Sequence, residues 1–132
     1  MSTSQELSHW MRKKPRFGGV YALDSLHQVP LLSSNSFIVN TETSRRPGEH
    51  WIAVKYNDQK QCFIFDPLPI LPPPPLLINF LLKHFRHILV NDTLIQPFTS
   101  STCGHHVVFY LYHNAAAASD VDCLEFINKE LH

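Results

Sequence analysis

The chain has 132 residues, which is enough for one domain with a hydrophobic core. Hydrophobic residues make up 44% and charged residues 17%, and this balance argues against a disordered protein. The formal net charge is zero, so no overall positive field attracts nucleic acid or an anionic membrane. Three cysteines without a short-range pattern exclude a disulfide framework and favour an intracellular, reducing setting. We expect neither a signal peptide nor a membrane span, because the N-terminus is polar and no apolar run is long enough.

We expect residues 1–132 to form a single domain, whose first 16 residues are a polar terminal segment that could be mobile. This segment contains a cluster of four basic residues, Arg12, Lys13, Lys14 and Arg16. Such a cluster could make a weak contact with the phosphate backbone of DNA. The alternative is a solvated terminal helix, because four charges form only a short patch.

The next stretch predicts a turn and a first strand. Phe17–Val20 contains two adjacent glycines and is typical of a turn. Tyr21–Leu26 is interpreted as a short helical or extended piece, and Ser36–Asn40 as a strand. The polar residues 41–48 then predict a loop.

A β-hairpin is predicted in the middle of the chain. His50–Tyr56 is rich in β-branched and aromatic residues, Asn57-Asp58 makes a turn, and Gln61–Pro67 returns as the next strand. His50 begins one strand and Asp66 closes the other. Because the open end of a hairpin brings these two positions together, the sequence predicts a histidine beside a carboxylate.

A proline-rich spacer and a helix follow the hairpin. Residues 67–75 should be stiff, and they could also bind an aromatic groove on a partner. A helix is predicted from about Leu76 to Ile88. His84 and His87 lie in or near its apolar stripe and could in principle hold a metal, although no third or fourth ligand is evident.

Cys103 is predicted to lie at the start of a buried helix. The apolar run Val107–Tyr112 has no polar face, which suits a helix in the centre of a domain. Ser100, Ser101 and Thr102 could cap its first turn. The helix dipole would then favour the thiolate of Cys103, as a cysteine nucleophile requires. The alternative is that Cys103 is simply a small core residue.

Four residues together suggest nucleophilic catalysis. Cys103 would be the nucleophile, His50 its base, and Asp66 the carboxylate that orients the imidazole. The Cys103 amide and Gln96 are candidate donors to an oxyanion. Taken singly, His50, Asp66 and Gln96 could instead be a strand-end histidine, a turn residue and a surface amide.

The order of these motifs resembles a known family. Gly48-Glu49-His50-Trp51 resembles a Gly-x-His-Trp motif, and Cys62–Pro67 resembles a Cys-Tyr-Leu-Phe-(Glu/Asp)-Pro motif. Phe17–Val20 resembles an N-terminal Phe-Pro-Gly-type segment, and Gln96 stands seven residues before Cys103, as in a Gln…Ser…Cys-Gly block. These motifs are similar to those of the adenain-like cysteine endopeptidases, the adenovirus protease and its relatives in large DNA viruses and virus-like transposons. The resemblance covers about residues 17–113.

The resemblance implies an α+β fold with papain-like chemistry, in which a central helix carrying Cys103 packs on a small mixed sheet. By position it makes His50 the general base, Asp66 the orienting acid, Cys103 the nucleophile and Gln96 an oxyanion-hole donor. It implies polypeptide substrates, namely viral or element-encoded precursor proteins cut near small residues such as glycine. The host nucleus or a virion is the expected location.

The resemblance also implies activation by a peptide or by DNA. The residues argue against both, because residues 87–95 contain no cysteine for a peptide tether and the net charge is zero. We therefore expect no cofactor. Two other functions stay open: an isopeptidase that processes ubiquitin-like modifiers, and a non-catalytic module that uses the proline run. A zinc site is a further, weaker option, with the ligands His50, Cys103, His105 and His106.

Overall fold

A mixed five-stranded sheet is the centre of the fold. The computed structural model describes residues 3–41, 50–66, 72–91, 107, 108, 110 and 111. Across the sheet the strands follow chain order: β1 (Phe17–Tyr21), β2 (Ser36–Asn40), β3 (Trp51–Tyr56), β4 (Gln61–Phe65) and β5 (His87–Val90). The outer pairs β1–β2 and β4–β5 are parallel, and the inner pairs β2–β3 and β3–β4 are antiparallel. A mixed sheet with few helices agrees, at this coarse level, with the α+β class.

The three inner strands are covered on both faces. Every residue of β2 and β3 is buried, and so is all of β4 except Gln61. Alternate residues of β3 therefore belong to two separate hydrophobic clusters, with Ala53 in one and Val54 in the other. This pattern is expected because side chains alternate between the two faces of a strand.

Two helical segments from distant parts of the chain cover the first face of the sheet. Helix α1 (Ser4–Met11) begins at a capping box, in which Thr3 and Glu6 satisfy each other's backbone amides. Its Leu7 and Met11 are four residues apart, lie on one side of the helix and are almost completely buried. They share their cluster with Val107, Tyr110 and Leu111, whose backbone is also helical. The first residues of the chain are thus part of the hydrophobic core.

The second face is covered by the 3₁₀ helix Leu23–Gln28 and by α2 (Pro75–Leu82). Helix α2 starts with a proline at its first position, where the missing amide hydrogen is not needed. Leu77 and Leu81 are fully buried against this face. None of the helices in the described part of the chain combines the length and apolarity of a membrane span.

Two local predictions are wrong. Phe17–Val20 was expected to be a turn, but it forms most of β1. Position 18 needs glycine because a Cβ atom there would lie only 2.9 Å from the carbonyl oxygen of Ser36. Gly19 has a φ of +121°, which residues with a side chain rarely adopt. The glycines therefore allow β1 to approach β2 closely and to shift its register between Phe17 and Val20.

The helix predicted from Leu76 to Ile88 is too long. It ends at Leu82, and His87–Val90 forms β5 instead. His84 and His87 consequently do not share a helix face, and both are exposed. The predicted strand Ser36–Asn40 is confirmed. The predicted strands His50–Tyr56 and Gln61–Pro67 are confirmed over Trp51–Tyr56 and Gln61–Phe65, and these two form the expected antiparallel hairpin.

Candidate functional site

The open end of the β3–β4 hairpin brings His50 and Asp66 into contact. His50 precedes the first residue of β3, and Asp66 follows the last residue of β4. The Nε2 atom of His50 lies 2.5 Å from Oδ1 of Asp66. The backbone carbonyl of His50 accepts a hydrogen bond from Thr41 at 3.0 Å, which holds the residue to the end of β2. The contact that the sequence predicts between these two side chains is confirmed.

The contact fixes the tautomer of the imidazole. An ionised carboxylate only accepts hydrogen bonds, so with Asp66 in that form Nε2 of His50 is the donor in this contact. In the neutral ring, Nδ1 is then the nitrogen with the basic lone pair. The side chain of Asp66 is only 7% exposed, whereas that of His50 is 23% exposed. A buried carboxylate thus holds a ring that solvent or a substrate can still reach.

Asn91 anchors the backbone of Asp66 and was not identified from the sequence. The amide of Asp66 donates to Oδ1 of Asn91 at 2.7 Å, and Nδ2 of Asn91 donates back to the Asp66 carbonyl at 2.8 Å. The amide of Asn91 also donates to the carbonyl of Ile64 at 3.3 Å. Asn91 is 2% exposed and directly follows β5, the strand parallel to β4. Asn91 therefore fixes the backbone of Asp66 directly after the end of β4.

The helical residues after Cys103 pack on Phe65, the last residue of β4. The ring of Tyr110 stacks on that of Phe65, with centroids 4.2 Å apart and planes at 2°. Phe65 is the neighbour of Asp66 in sequence. Val107 and Leu111, one helical turn apart, are completely buried in the same cluster as Trp51, the neighbour of His50. The described part of the predicted central helix therefore lies against the strand ends that carry the histidine and the acid.

The other two predicted site residues, Cys103 and Gln96, lie outside the described residues, as do His105 and His106 of the zinc option. The described residues contain no group of three or more histidine, cysteine or acidic side chains that could hold a metal ion. Among the other cysteines, Cys62 is fully buried on β4, and burial raises the pKa of its thiol to about 12.

The basic residues predicted near the N-terminus do not form one exposed patch. Lys14 is only 7% exposed, and its ammonium group donates to Ser36 at 3.3 Å and to Asn35 at 3.5 Å. Arg12 donates to the carbonyl of His9 at 2.6 Å. Lys14 is thus buried against the sheet, whereas Arg12, Lys13 and Arg16 are exposed.

No family of known proteins matches the chain in sequence comparisons, and no curated protein is significantly similar to it.

Proposed function

We propose that the protein is a cysteine endopeptidase in which Cys103 is the nucleophile, His50 the general base and Asp66 the acid that orients the base. The observation that carries the proposal is the 2.5 Å contact between Nε2 of His50 and the buried carboxylate of Asp66. This contact is the half of a catalytic triad that holds the base in one tautomer and stabilises the imidazolium.

The helix packed at the same strand ends supports the role of Cys103. Cys103 precedes Val107 by four residues, which corresponds to one turn of an α-helix. Val107 and Tyr110 are buried in the cluster that includes Trp51 and Phe65. In the proposed arrangement the helix extends back from Val107 and brings the thiol of Cys103 to the imidazole of His50. A thiol at a helix N-terminus is also easier to ionise.

The proposed reaction is ordinary acyl transfer. The thiol proton passes to Nδ1 of His50, and the sulfur attacks the carbonyl carbon of the scissile peptide bond. The imidazolium then returns its proton to the leaving amine as the carbon–nitrogen bond breaks. Water, deprotonated by the same ring, hydrolyses the thioester and restores the thiol. The backbone amide of Cys103 and the side chain of Gln96 are the proposed donors to the oxyanion.

The motif resemblance extends the proposal to an adenain-like enzyme. Its substrates would be viral or element-encoded precursor proteins, cut where small residues such as glycine flank the scissile bond. The setting would be the host nucleus or the virion.

Cleavage of precursor proteins tests the proposal. Candidate precursors with glycine-flanked sites are incubated with the wild-type protein, with Cys103→Ala and with Cys123→Ala. Cleavage by the wild type and by Cys123→Ala, together with a loss on the order of a thousandfold or more in Cys103→Ala, is expected for a nucleophile. Cleavage of ubiquitin-like modifier conjugates alone would instead assign an isopeptidase.

Thiol reactivity provides a test that needs no substrate. Iodoacetamide is applied near neutral pH, and the modified cysteines are mapped by mass spectrometry over time. Cys103 is expected to react much faster than Cys123, and Cys62 should remain unmodified in the folded protein because its thiol is buried. Equal rates at Cys103 and Cys123, with no cleavage of either substrate class, would contradict the proposal and favour a non-catalytic binding module.

A further inference from the structure

A cavity of about 310 Å³ lies at the end of the sheet opposite the His50–Asp66 pair. It adjoins Lys55 and Tyr56, the last residues of β3, whereas His50 precedes the first residue of the same strand. A strand of this length spans roughly 20 Å, so the two places are separate. This volume is at the lower end of the roughly 300–1,000 Å³ that is typical of small-molecule sites.

The charges in the cavity wall are mainly positive. Arg16, Lys55 and Lys60 line it, and Asp58 is the acidic residue among its lining side chains. Three cations and one carboxylate leave a net charge of +2 when the lining histidine is counted as neutral. Within the described residues, neither Arg16, Lys60 nor Asp58 forms a salt bridge. The positive charge of the wall is therefore not cancelled by Asp58 in an ion pair.

A buried lysine, Lys14, lies next to the cavity and adds to the repulsion between its positive charges. Lys14 is 7% exposed and hydrogen-bonds to Asn35, which also lines the cavity. Burial lowers the pKa of Lys14, and the nearby charges of Lys55 and Arg16 lower it further. Positive charges gathered in a partly buried place repel one another unless an anion joins them. A bound anion would reduce this repulsion.

The backbone holds two of the cations at the cavity in a conformation that side chains rarely adopt. Arg16 has a φ of 60° and Lys60 a φ of 65°. Each is also fixed by its carbonyl: that of Arg16 accepts from Asn35 at 2.9 Å, and that of Lys60 accepts from Arg86 at 2.8 Å. Non-glycine residues with positive φ cost stability, and such strain is often found at ligand sites.

We propose that this cavity binds a phosphate group, either as free phosphate or as the monoester of a small molecule. A phosphate monoester carries a charge of about −1.5 to −2 near neutral pH, which matches the net charge of the wall. Arg16 would offer a planar pair of donors, and Lys55 and Lys60 would act as point charges. The side-chain amide of Asn35 donates no hydrogen bond to another described residue and would add a neutral donor.

Titration of the ¹⁵N-labelled protein with inorganic phosphate, AMP and adenosine tests the proposal at constant ionic strength. Amide resonances around the cavity should shift and saturate with phosphate or AMP, with a dissociation constant of about 1 mM or below. Equal affinities for phosphate and AMP would assign free phosphate as the ligand, and tighter binding of AMP would assign a monoester. Adenosine binding as tightly as AMP would overturn the proposal.

Variants of the wall locate the site. Lys60→Asn and Arg16→Asn each remove an exposed positive charge. Asparagine tolerates the positive φ that both residues have. Each is expected to weaken binding about tenfold, as is Lys55→Met. Lys83→Gln, which changes an exposed lysine that does not itself line the cavity, should bind like the wild type. Circular dichroism checks that each variant is folded. Equal weakening in Lys83→Gln, or no saturable shift at all, would refute the site.

A duplex DNA oligonucleotide serves as the competing ligand. If it binds while phosphate and AMP do not, the phosphate site is refuted and the basic residues near the N-terminus become the contact to examine. If phosphate or AMP binds and the wall variants abolish that binding, the cavity is the site whatever the oligonucleotide does.

Discussion

Asn91 and Asp66 exchange two hydrogen bonds, one in each direction, between a buried side-chain amide and a backbone peptide group. The two residues are 25 positions apart and follow neighbouring parallel strands, β5 and β4. Their pairing sets the position from which the carboxylate of Asp66 reaches His50. The stability of the sheet edge and the geometry of the candidate site therefore depend on the same side chain.

Asn91→Ala should lower the free energy of unfolding by about 2–6 kcal/mol, because it removes the hydrogen-bond partner of a buried amide and of a buried carbonyl, at about 1–3 kcal/mol for each group. Urea denaturation followed by circular dichroism measures the change. Asn79→Ala on the exposed side of α2 is the matched control and should change stability by less than about 0.5 kcal/mol. If the two variants are equally stable, Asn91 does not anchor Asp66 in solution.

Under the proposed mechanism, Asp66→Asn should retain the fold and lose peptidase activity. The neutral amide can no longer stabilise an imidazolium, and it can leave His50 in the wrong tautomer, so kcat on a cleaved substrate should fall by on the order of a hundred- to ten-thousandfold. Steady-state kinetics on the precursor that the wild type cleaves gives the value. Asp58→Asn, an exposed acid in the β3–β4 turn, serves as the control. Equal activity of the two variants would reduce Asp66 to a structural residue.

Cys62 should make the protein less stable at alkaline pH. Burial raises the pKa of its thiol from 9.0 to about 12, so the folded state keeps the proton after the unfolded chain has lost it. The thiol's contribution to stability is full below about pH 9 and is lost as the pH rises towards about 12, with a slope of at most about 1.4 kcal/mol per pH unit.

Chemical denaturation of the wild type and of Cys62→Val between about pH 8 and pH 11 measures this effect, since valine fills similar space and does not titrate. Tyr21 and Tyr56, whose pKa values burial also raises, are present in both proteins and affect both curves alike. The wild type should lose more stability than the variant over this range. Parallel curves would show that Cys62 does not bear the predicted shift.

The central hairpin could be predicted from the sequence because its signals are local. Runs rich in β-branched and aromatic residues on each side of Asn57-Asp58 define two strands, and antiparallel pairing then brings His50 to Asp66. Antiparallel register follows from the turn itself, so no knowledge of the remaining chain was needed.

The parts that the sequence did not predict depend on distant partners. Phe17–Val20 is a strand because its glycines let it approach β2, and the sequence alone shows only two residues typical of turns. His87–Val90 pairs in parallel with β4 across α2, and parallel pairing has no local signal. Asn91 has a role only because β5 ends beside Asp66. The capping box at Thr3 and Glu6, by contrast, is a local signal for the start of α1.

Lys60→Gly should stabilise the protein. Lys60 closes the β3–β4 turn with a φ of 65°, a conformation that costs an ordinary residue about 1–2 kcal/mol and costs glycine almost nothing. The greater flexibility of glycine in the unfolded chain offsets about 0.5–1 kcal/mol of this stabilisation. The free energy of unfolding should therefore rise by about 0.5–1 kcal/mol, since the carbonyl that accepts from Arg86 and His87 is retained.

The neighbouring Gln59 provides the control for this turn. Gln59 is not among the described residues with positive φ, so Gln59→Gly gains no relief and should lose about 0.5–1 kcal/mol. Thermal and urea unfolding of the two variants should consequently move in opposite directions. Destabilisation of both would mean that the Lys60 side chain contributes more to the folded state, through its charge or its stem, than its backbone conformation costs.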